Sequence, residues 1–271
     1  MKRSAFNNPT FGRSIYLPPV FSMPMDVTLL GTGSAFPSGR RVQSGTVIER
    51  GESRVLVDCG SGVLHRLGQH EQLSFLDIDT VLLTHLHLDH VSDLAGLFKA
   101  RILKGEPDLT IIGPPGTETA CIHLFAVDDL IERGNPSIVE RTVEDAPLSL
   151  QGFQIRIAEG THSQRSHAYR FDDAVTLSGD TTVNTDVLSL ADGSYALVHE
   201  CSYPDGVDTE THTTPAALAA GIEELDIERL YLTHLFPEAE PEAAMMAEQI
   251  AESTAATVRV ATDLAQFAIP D

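Results

Sequence analysis

Three histidines and one aspartate fall in a single six-residue run, His85-Leu86-His87-Leu88-Asp89-His90. The run follows an apolar segment at residues 79–84 and precedes a helical pattern from Val91 to Leu103, which predicts a strand-to-helix loop. In extended backbone, side chains two apart point the same way, so His85 and His87 can hold one ion through imidazole nitrogens. Asp89 and His90 open the helix and face a neighbouring spot where a second cation could sit. Two hydrolytic metals at about 3.5–4 Å share a bridging oxygen, which becomes a hydroxide nucleophile at neutral pH. The competing reading is a surface histidine cluster. So many ligand types at one strand end argue against it.

The elements that must position such a site follow from the pattern of apolar runs. Open α/β sheets carry their sites at the carboxyl ends of strands. Four further polar residues end apolar runs here: His162, Asp180, Glu200 and His234. Thr233-His234 follows Leu230-Tyr231-Leu232 as Thr84-His85 follows Val81-Leu82-Leu83. That repetition predicts two similar halves packed sheet to sheet, with strand ends converging on one centre. Strands are expected at 26–30, 46–48, 54–58, 109–113, 168–171, 175–178, 196–200, 229–233 and 257–261, and 137–157 reads as β-rich. Helices are expected near 90–103, 117–132, 215–225 and 241–253, an α/β layering. Gly31-Thr32-Gly33-Ser34 offers backbone N–H groups to an oxyanion or is a plain tight turn. Asp58 either supports the metal loop from below or caps the helix that follows it.

Composition bounds the rest. A chain of 271 residues that is 42% hydrophobic can bury a sizeable core, and one domain over residues 25–271 is expected, preceded by an extended proline-bearing arm over 1–24. No apolar stretch is long enough to span a membrane and no secretory h-region is present, so a soluble cytoplasmic protein is expected. Cys59, Cys121 and Cys201 are too scattered for a disulfide framework and read as buried free thiols. The 18 basic against 39 acidic residues give a net charge of −21. That field repels phosphate backbones and disfavours nucleic acid as a partner. Lys2, Lys99 and Lys104 are the only lysines. This bias is shared by proteins of salt-loving microbes, although an ordinary acidic enzyme accounts for it equally well.

Taken together, Leu30-Gly31-Thr32-Gly33-Ser34, Asp58-Cys59-Gly60, the HxHxDH run, His162, Ser178-Gly179-Asp180-Thr181, Glu200, His212-Thr213-Thr214 and Thr233-His234 resemble the metallo-β-lactamase fold superfamily. Within it the chain is most similar to the branch of ribonuclease Z and related phosphodiesterases. The resemblance covers nearly everything from residue 26 onward and implies a four-layer αββα sandwich. It also implies His85, His87 and His162 on a first metal, Asp89, His90 and His234 on a second, and Asp180 bridging. Imidazoles and carboxylates suit zinc, with manganese or iron as alternatives. His167 competes with His162 for the third position. Asp89, Glu200 and His212 form the implied catalytic set, in which a carboxylate holds an imidazolium as general acid for an alkoxide leaving group. The alternative is that Glu200 and His212 only cap a turn and a helix. His65, His70, His123 and His199 are assigned to core or surface.

Two departures matter. Ribonuclease Z grips tRNA with an arm inserted between the third histidine and the bridging aspartate, and the few residues between His162 and Asp180 cannot hold one. His234 is followed by Leu235-Phe236-Pro237-Glu238 instead of Ser-x-Arg-Tyr. The expectation is therefore a di-zinc hydrolase that cleaves a small phosphodiester or related ester by metal-bound hydroxide, with a homodimer allowed. The alternatives are a tRNA 3′ endonuclease and a non-catalytic metal-binding module.

Overall fold

Alternation of side chains along the strands sets the layers, as seen in a computed structural model that describes residues 23–145 and 147–270. Residues 1–22 of the expected arm lie outside the described residues. The first half begins with an antiparallel meander of β1 (Met25–Gly31), β2 (Gly45–Arg50) and β3 (Ser53–Val57), and β2 turns into β3 at Gly51, whose φ is 61°. The order then becomes parallel through β4 (Thr80–Leu82), β5 (Asp108–Gly113) and β6 (Asn135–Glu140). The crossovers carry α1 (Val63–Gln69), α2 (Leu88–Val91), α3 (Leu94–Leu103) and α4 (Thr117–Phe125).

The second half repeats this plan. Four antiparallel strands, β7 (Leu148–Leu150), β8 (Phe153–Gly160), β9 (Ser166–Phe171) and β10 (Val175–Leu177), precede α5 (Thr185–Ala191) and β11 (Ala196–Glu200). Then come α6 (Pro215–Ile222), β12 (Arg229–Thr233), α7 (Ala243–Ala251) and β13 (Thr257–Val260), with β10 to β13 paired in parallel. A final strand, β14 (Ala265–Ile269), crosses back to pair with β1. The result is two seven-stranded sheets, in the orders β14-β1-β2-β3-β4-β5-β6 and β13-β12-β11-β10-β9-β8-β7.

Most central strands feed two cores. Val27, Leu29, Ile48 and Val55 of the first sheet meet Phe153, Tyr169, Phe171 and Tyr231 of the second between the layers. Their neighbours Leu30, Val47 and Leu56 point outward onto Val63, Leu67, Leu97 and Phe98 of the helices. On the far side Leu197, Leu230 and Leu232 pack against Leu218, Ile222, Met246 and Ile250. Helix, sheet, sheet, helix is the four-layer αββα order expected from the motifs. Each such side chain, fully buried, contributes about 1.5–3 kcal/mol.

The structure differs from the expected elements in four places. The helix expected to run unbroken to Leu103 is interrupted after Val91. There the Asp93 N–H donates to Cys59 O at 2.9 Å and His90 O accepts from Cys59 N at 2.7 Å, diverting two helical hydrogen-bonding groups to the Asp58–Gly60 segment. The helix expected to reach residue 132 stops at Phe125, because the Asp128 side chain accepts from Leu130 N at 3.0 Å and starts a separate 3-10 turn. Helix α5 and strand β14 were not foreseen at all.

Among the described residues no helix is long and apolar enough to cross a membrane. The net charge of −21 leaves a self-repelling surface. Raising KCl from about 0.05 M to about 2 M screens it and is expected to raise the melting temperature by several degrees, on a scale of roughly 2–4 °C per kcal/mol. A flat melting temperature across that range would remove the charge argument.

Candidate active site

All the polar strand ends meet at one edge. The loop after β4 delivers Thr84, His85 and His87, and α2 itself carries Asp89 and His90. The loop between β8 and β9 contributes His162, the loop after β10 Asp180, the end of β11 Glu200, and the end of β12 His234. His85, His87 and His162 offer ligand atoms that lie within 4.8 Å of one another, as do those of Asp89, His90, Asp180 and His234. Asp180 stands between the sets: its Oδ2 is 3.7 Å from His85 Nε2, 3.9 Å from His162 Nε2 and 3.2 Å from His234 Nε2, while Oδ1 is 3.5 Å from His90 Nε2.

Close approach needs special backbone. A Cβ at Gly60 would collide with the Asp89 carbonyl, so only glycine lets this segment pass under the His85–His90 run. Asp58 and His234 adopt left-handed conformations, with φ of 61° and 58°, without being glycine. Such strain costs of order 1 kcal/mol each and persists only where the surroundings enforce it. At Asp58 the enforcing contacts are plain: Oδ1 accepts from Thr84 N at 2.8 Å, and Oδ2 accepts from Thr84 Oγ1 at 2.8 Å and from His90 Nδ1 at 2.7 Å. Asp58 thus supports the His85–His90 segment. Helix α1 is capped instead by Asp93, whose Oδ2 accepts from Gly62 N at 2.9 Å and Leu64 N at 3.0 Å.

The outer hydrogen bonds settle which ring nitrogens face inward. His90 Nδ1 donates to Asp58, and His162 Nδ1 donates to Thr211 O at 2.8 Å. Thr84 Oγ1 already donates to Asp58, so it accepts from His85 Nδ1 at 3.1 Å. Ser202 Oγ likewise donates to Glu200 Oε2 at 2.6 Å and accepts from His234 Nδ1 at 3.1 Å. Four rings therefore turn Nε2 inward, the nitrogen a metal would take. His87 presents Nδ1, 3.0 Å from His85 Nε2 and 3.1 Å from His162 Nε2. Three ring nitrogens converging at such range leave a place that a cation would fit. In the other set, buried His90 Nε2 has no hydrogen-bond partner. The donor set fits two divalent ions, three nitrogens for one and two imidazoles with carboxylates for the other. Burial, reinforced by neighbouring His90, holds the His85 imidazole well below its usual range and keeps it neutral.

Glu200 and His212 form the next shell inward from the second sheet. His212 Nδ1 donates to Glu200 Oε1 at 2.9 Å. The fully buried carboxylate also accepts from Thr181 N at 3.0 Å, Ser202 N at 3.2 Å and Thr213 N at 3.1 Å. Burial disfavours a charged His212, but the hydrogen bond and charge of Glu200 outweigh it, with Asp180 and Asp89 adding, so the imidazolium is held above its usual range. The His212 ring stacks on His234 with centroids 5.5 Å apart and reaches the cluster edge beside His162 and Asp180. It does not cap α6, whose N-cap Thr214 makes no side-chain bond. Glu200 does organise three loop amides, so the turn-capping reading holds for it alongside the pairing with His212.

Every residue of the implied ligand sets, together with Glu200 and His212, is therefore brought to this centre. His167 is not: it is buried against Tyr169, ring centroids 6.0 Å apart, with burial lowering it to about 4. His199 faces the core, its Nδ1 donating to Glu200 O at 2.7 Å. Cys59, Cys121 and Cys201 are free and buried. Thr84, Ser202 and Thr211, which orient three of the rings, were not singled out. Only Thr84 left a signal, as one of the two Thr-His pairs.

Residues 25–118 match the family model described as Anti-Pycsar protein Apyc1. Curated relatives include the Ribonuclease Z of Mycobacterium sp. (strain KMS), 33% identical over 247 residues that span 80% of this chain and 86% of the relative. Among solved structures, the metallo-beta-lactamase fold protein YhfI from Bacillus subtilis superposes with a TM-score of 0.79 at 23% identity, over 90% of this chain and 99% of that one. Human tRNase Z, short form, gives 0.72 at 24% identity, over 91% of this chain and 100% of that one. Identities at that level speak to the fold.

Proposed function

Because the chain belongs to the family of metallo-β-lactamase-fold hydrolases that includes ribonuclease Z, we propose that it hydrolyses a small phosphodiester at a centre holding two divalent metal ions, zinc by preference. The observation that carries this reading is the junction of two metal-fitting ligand sets through Asp180, with His212 held against their edge by Glu200. Bound metals would supply Lewis acidity and a water of lowered pKa. The chain's own residues do the rest. Asp58, Thr84, Ser202 and Thr211 fix the ligand rings. Asp180, standing between the two sets, would offset the repulsion between two dications. His212 gives its proton to the departing alkoxide, and Glu200 holds that ring charged and oriented.

A second reading, a tRNA 3′ endonuclease, is favoured by the name of the curated relatives. Against it, the residues between His162 and Asp180 are taken up by the β9–β10 hairpin and two short connections. No protruding arm fits there. A long polyanion needs several phosphates neutralised by Lys or Arg, which a chain at −21 opposes. A small ester is therefore the proposed partner.

Metal-loaded protein is accordingly expected to turn over bis(p-nitrophenyl) phosphate or a cyclic nucleotide diester and to leave precursor tRNA essentially uncut at moderate salt. Efficient 3′ cleavage of precursor tRNA by the isolated protein would move the enzyme to the second reading. Turnover confined to a lactone or sulfate ester would change the substrate class and keep the metal centre.

A further inference from the structure

Scattered exposed apolar residues are ordinary on a protein surface, but Phe36 is the outer end of a continuous run of rings that starts in the active site. Phe236 lies 5.6 Å from His234 and 5.2 Å from His212, centroid to centroid. Tyr203 sits 4.6 Å from Phe236 and 5.9 Å from His212. Phe36 packs on Phe236 at 5.4 Å and 65°, and remains 53% exposed. Beyond these rings the flanking segments, Pro37 to Arg40 and Pro237 to Pro241, border an open groove of about 640 Å³.

The loop that carries Phe36 is held at both ends. Gly33 bridges to Leu235 ahead of it. Behind it, Ser38 Oγ accepts from Arg41 N at 2.9 Å, and Asp263 accepts from Val42 N at 2.8 Å. Arg41 is further fixed by Glu240 and by Thr32 Oγ1. An exposed aromatic ring on an anchored loop keeps its place without a ligand, which lowers the entropic cost of binding one.

We propose that Phe36, backed by Phe236 and Tyr203, is a stacking subsite for the base of a nucleoside phosphate ester. The inference rests on the phosphodiester reading of the metal centre and names the substrate within it. The wall starts at His212, where the departing group receives its proton. Its exposed end stands two ring-to-ring steps away. That spacing suits a base set back from phosphorus by a sugar better than a ring bonded directly to the ester oxygen. Stacking reads the π-face, which every base has, so the subsite selects nucleosides without choosing among bases.

The test is calorimetric titration of metal-loaded protein with adenosine 5′-monophosphate and with ribose 5-phosphate, which share phosphate and sugar and differ in the base. The nucleotide is expected to bind about tenfold more tightly. Phe36→Ala should abolish that advantage, leaving ribose 5-phosphate affinity, metal content and melting temperature unchanged, and Phe36→Trp should restore it. Equal affinities in the wild type, or an advantage that survives Phe36→Ala, would overturn the subsite. So would a change in sedimentation mass with Phe36→Ala, which would make the ring a contact between copies. Failure of both ligands to bind would overturn the subsite together with the phosphodiester reading on which it rests.

Discussion

His85→Ala is expected to strip metal and turnover together. His85 is completely buried, its Nδ1 is tied to Thr84, and its Nε2 is aimed at His87 and Asp180. Removing it takes away one of three nitrogens in the first set and leaves a void that water fills poorly. Elemental analysis of the wild type should approach two divalent ions per chain, and the variant should fall toward one. Because each several-kcal/mol loss of charge stabilisation divides the rate by a thousand or more, turnover should drop at least ~10³-fold. Asp180→Ala should be worse, since its carboxylate lies within 3.9 Å of His85 and His162 as well as of His90 and His234. Chelation should also lower the melting temperature of the wild type, because a ligand that binds only the folded chain stabilises it by mass action. A fully active enzyme with one tightly held ion would end the two-metal account.

His212→Ala separates proton donation from metal binding. The ring packs against His162 with centroids 5.0 Å apart, but its Nδ1 is tied to Glu200 at 2.9 Å. Turnover of diesters with alkoxide leaving groups should fall about 10²–10⁴-fold, the usual contribution of a positioned general acid. Nitrophenolate leaves without a proton, so p-nitrophenyl esters should lose little. Metal content should not change. Equal losses for both leaving groups would return His212 to a purely structural role. Glu200→Ala is a poorer probe, because it also strands the amides of Thr181, Ser202 and Thr213 at about 1–3 kcal/mol each.

Much of this centre is legible in the sequence because its candidate ligands sit at or just beyond the ends of apolar strands, and such ends are forced to one edge by the layering itself. The pairing of Thr84-His85 with Thr233-His234 even announces the two-sheet plan. What escapes is anything set by contacts between distant segments. Whether Asp58 supported the loop or capped a helix depended on Asp93 taking the cap, a contact formed only when α1 and α3 pack. The break after Val91 has no local signal, since its cause is the Cys59 backbone. Strand β14 was missed because Ala265, Gln266 and Ala268 are weak strand formers, and only Phe267 and Ile269 alternate into the core. Helix α5 is a short element held mainly by an Asn184 cap and its packing on β8.

The return of β14 to the first sheet has a consequence for the order in which this chain can assemble. Met25 pairs with Ile269, so β1 is among the first strands made and waits for the last before its outer edge is covered. Closing so long a loop is slow, and until it closes β1 offers unpaired N–H and C=O groups to any other nascent chain. Asp26, the one exposed residue of β1, places a charge on that waiting edge, where it discourages strand addition between molecules. Asp263, in the turn that launches β14, then binds Thr32 N at 3.0 Å and Val42 N at 2.8 Å, so the same late event fastens the loop that holds Phe36. Ribosomal pausing or C-terminal truncation would therefore leave not a shorter enzyme but a half-finished sheet, with its most adhesive strand in the open.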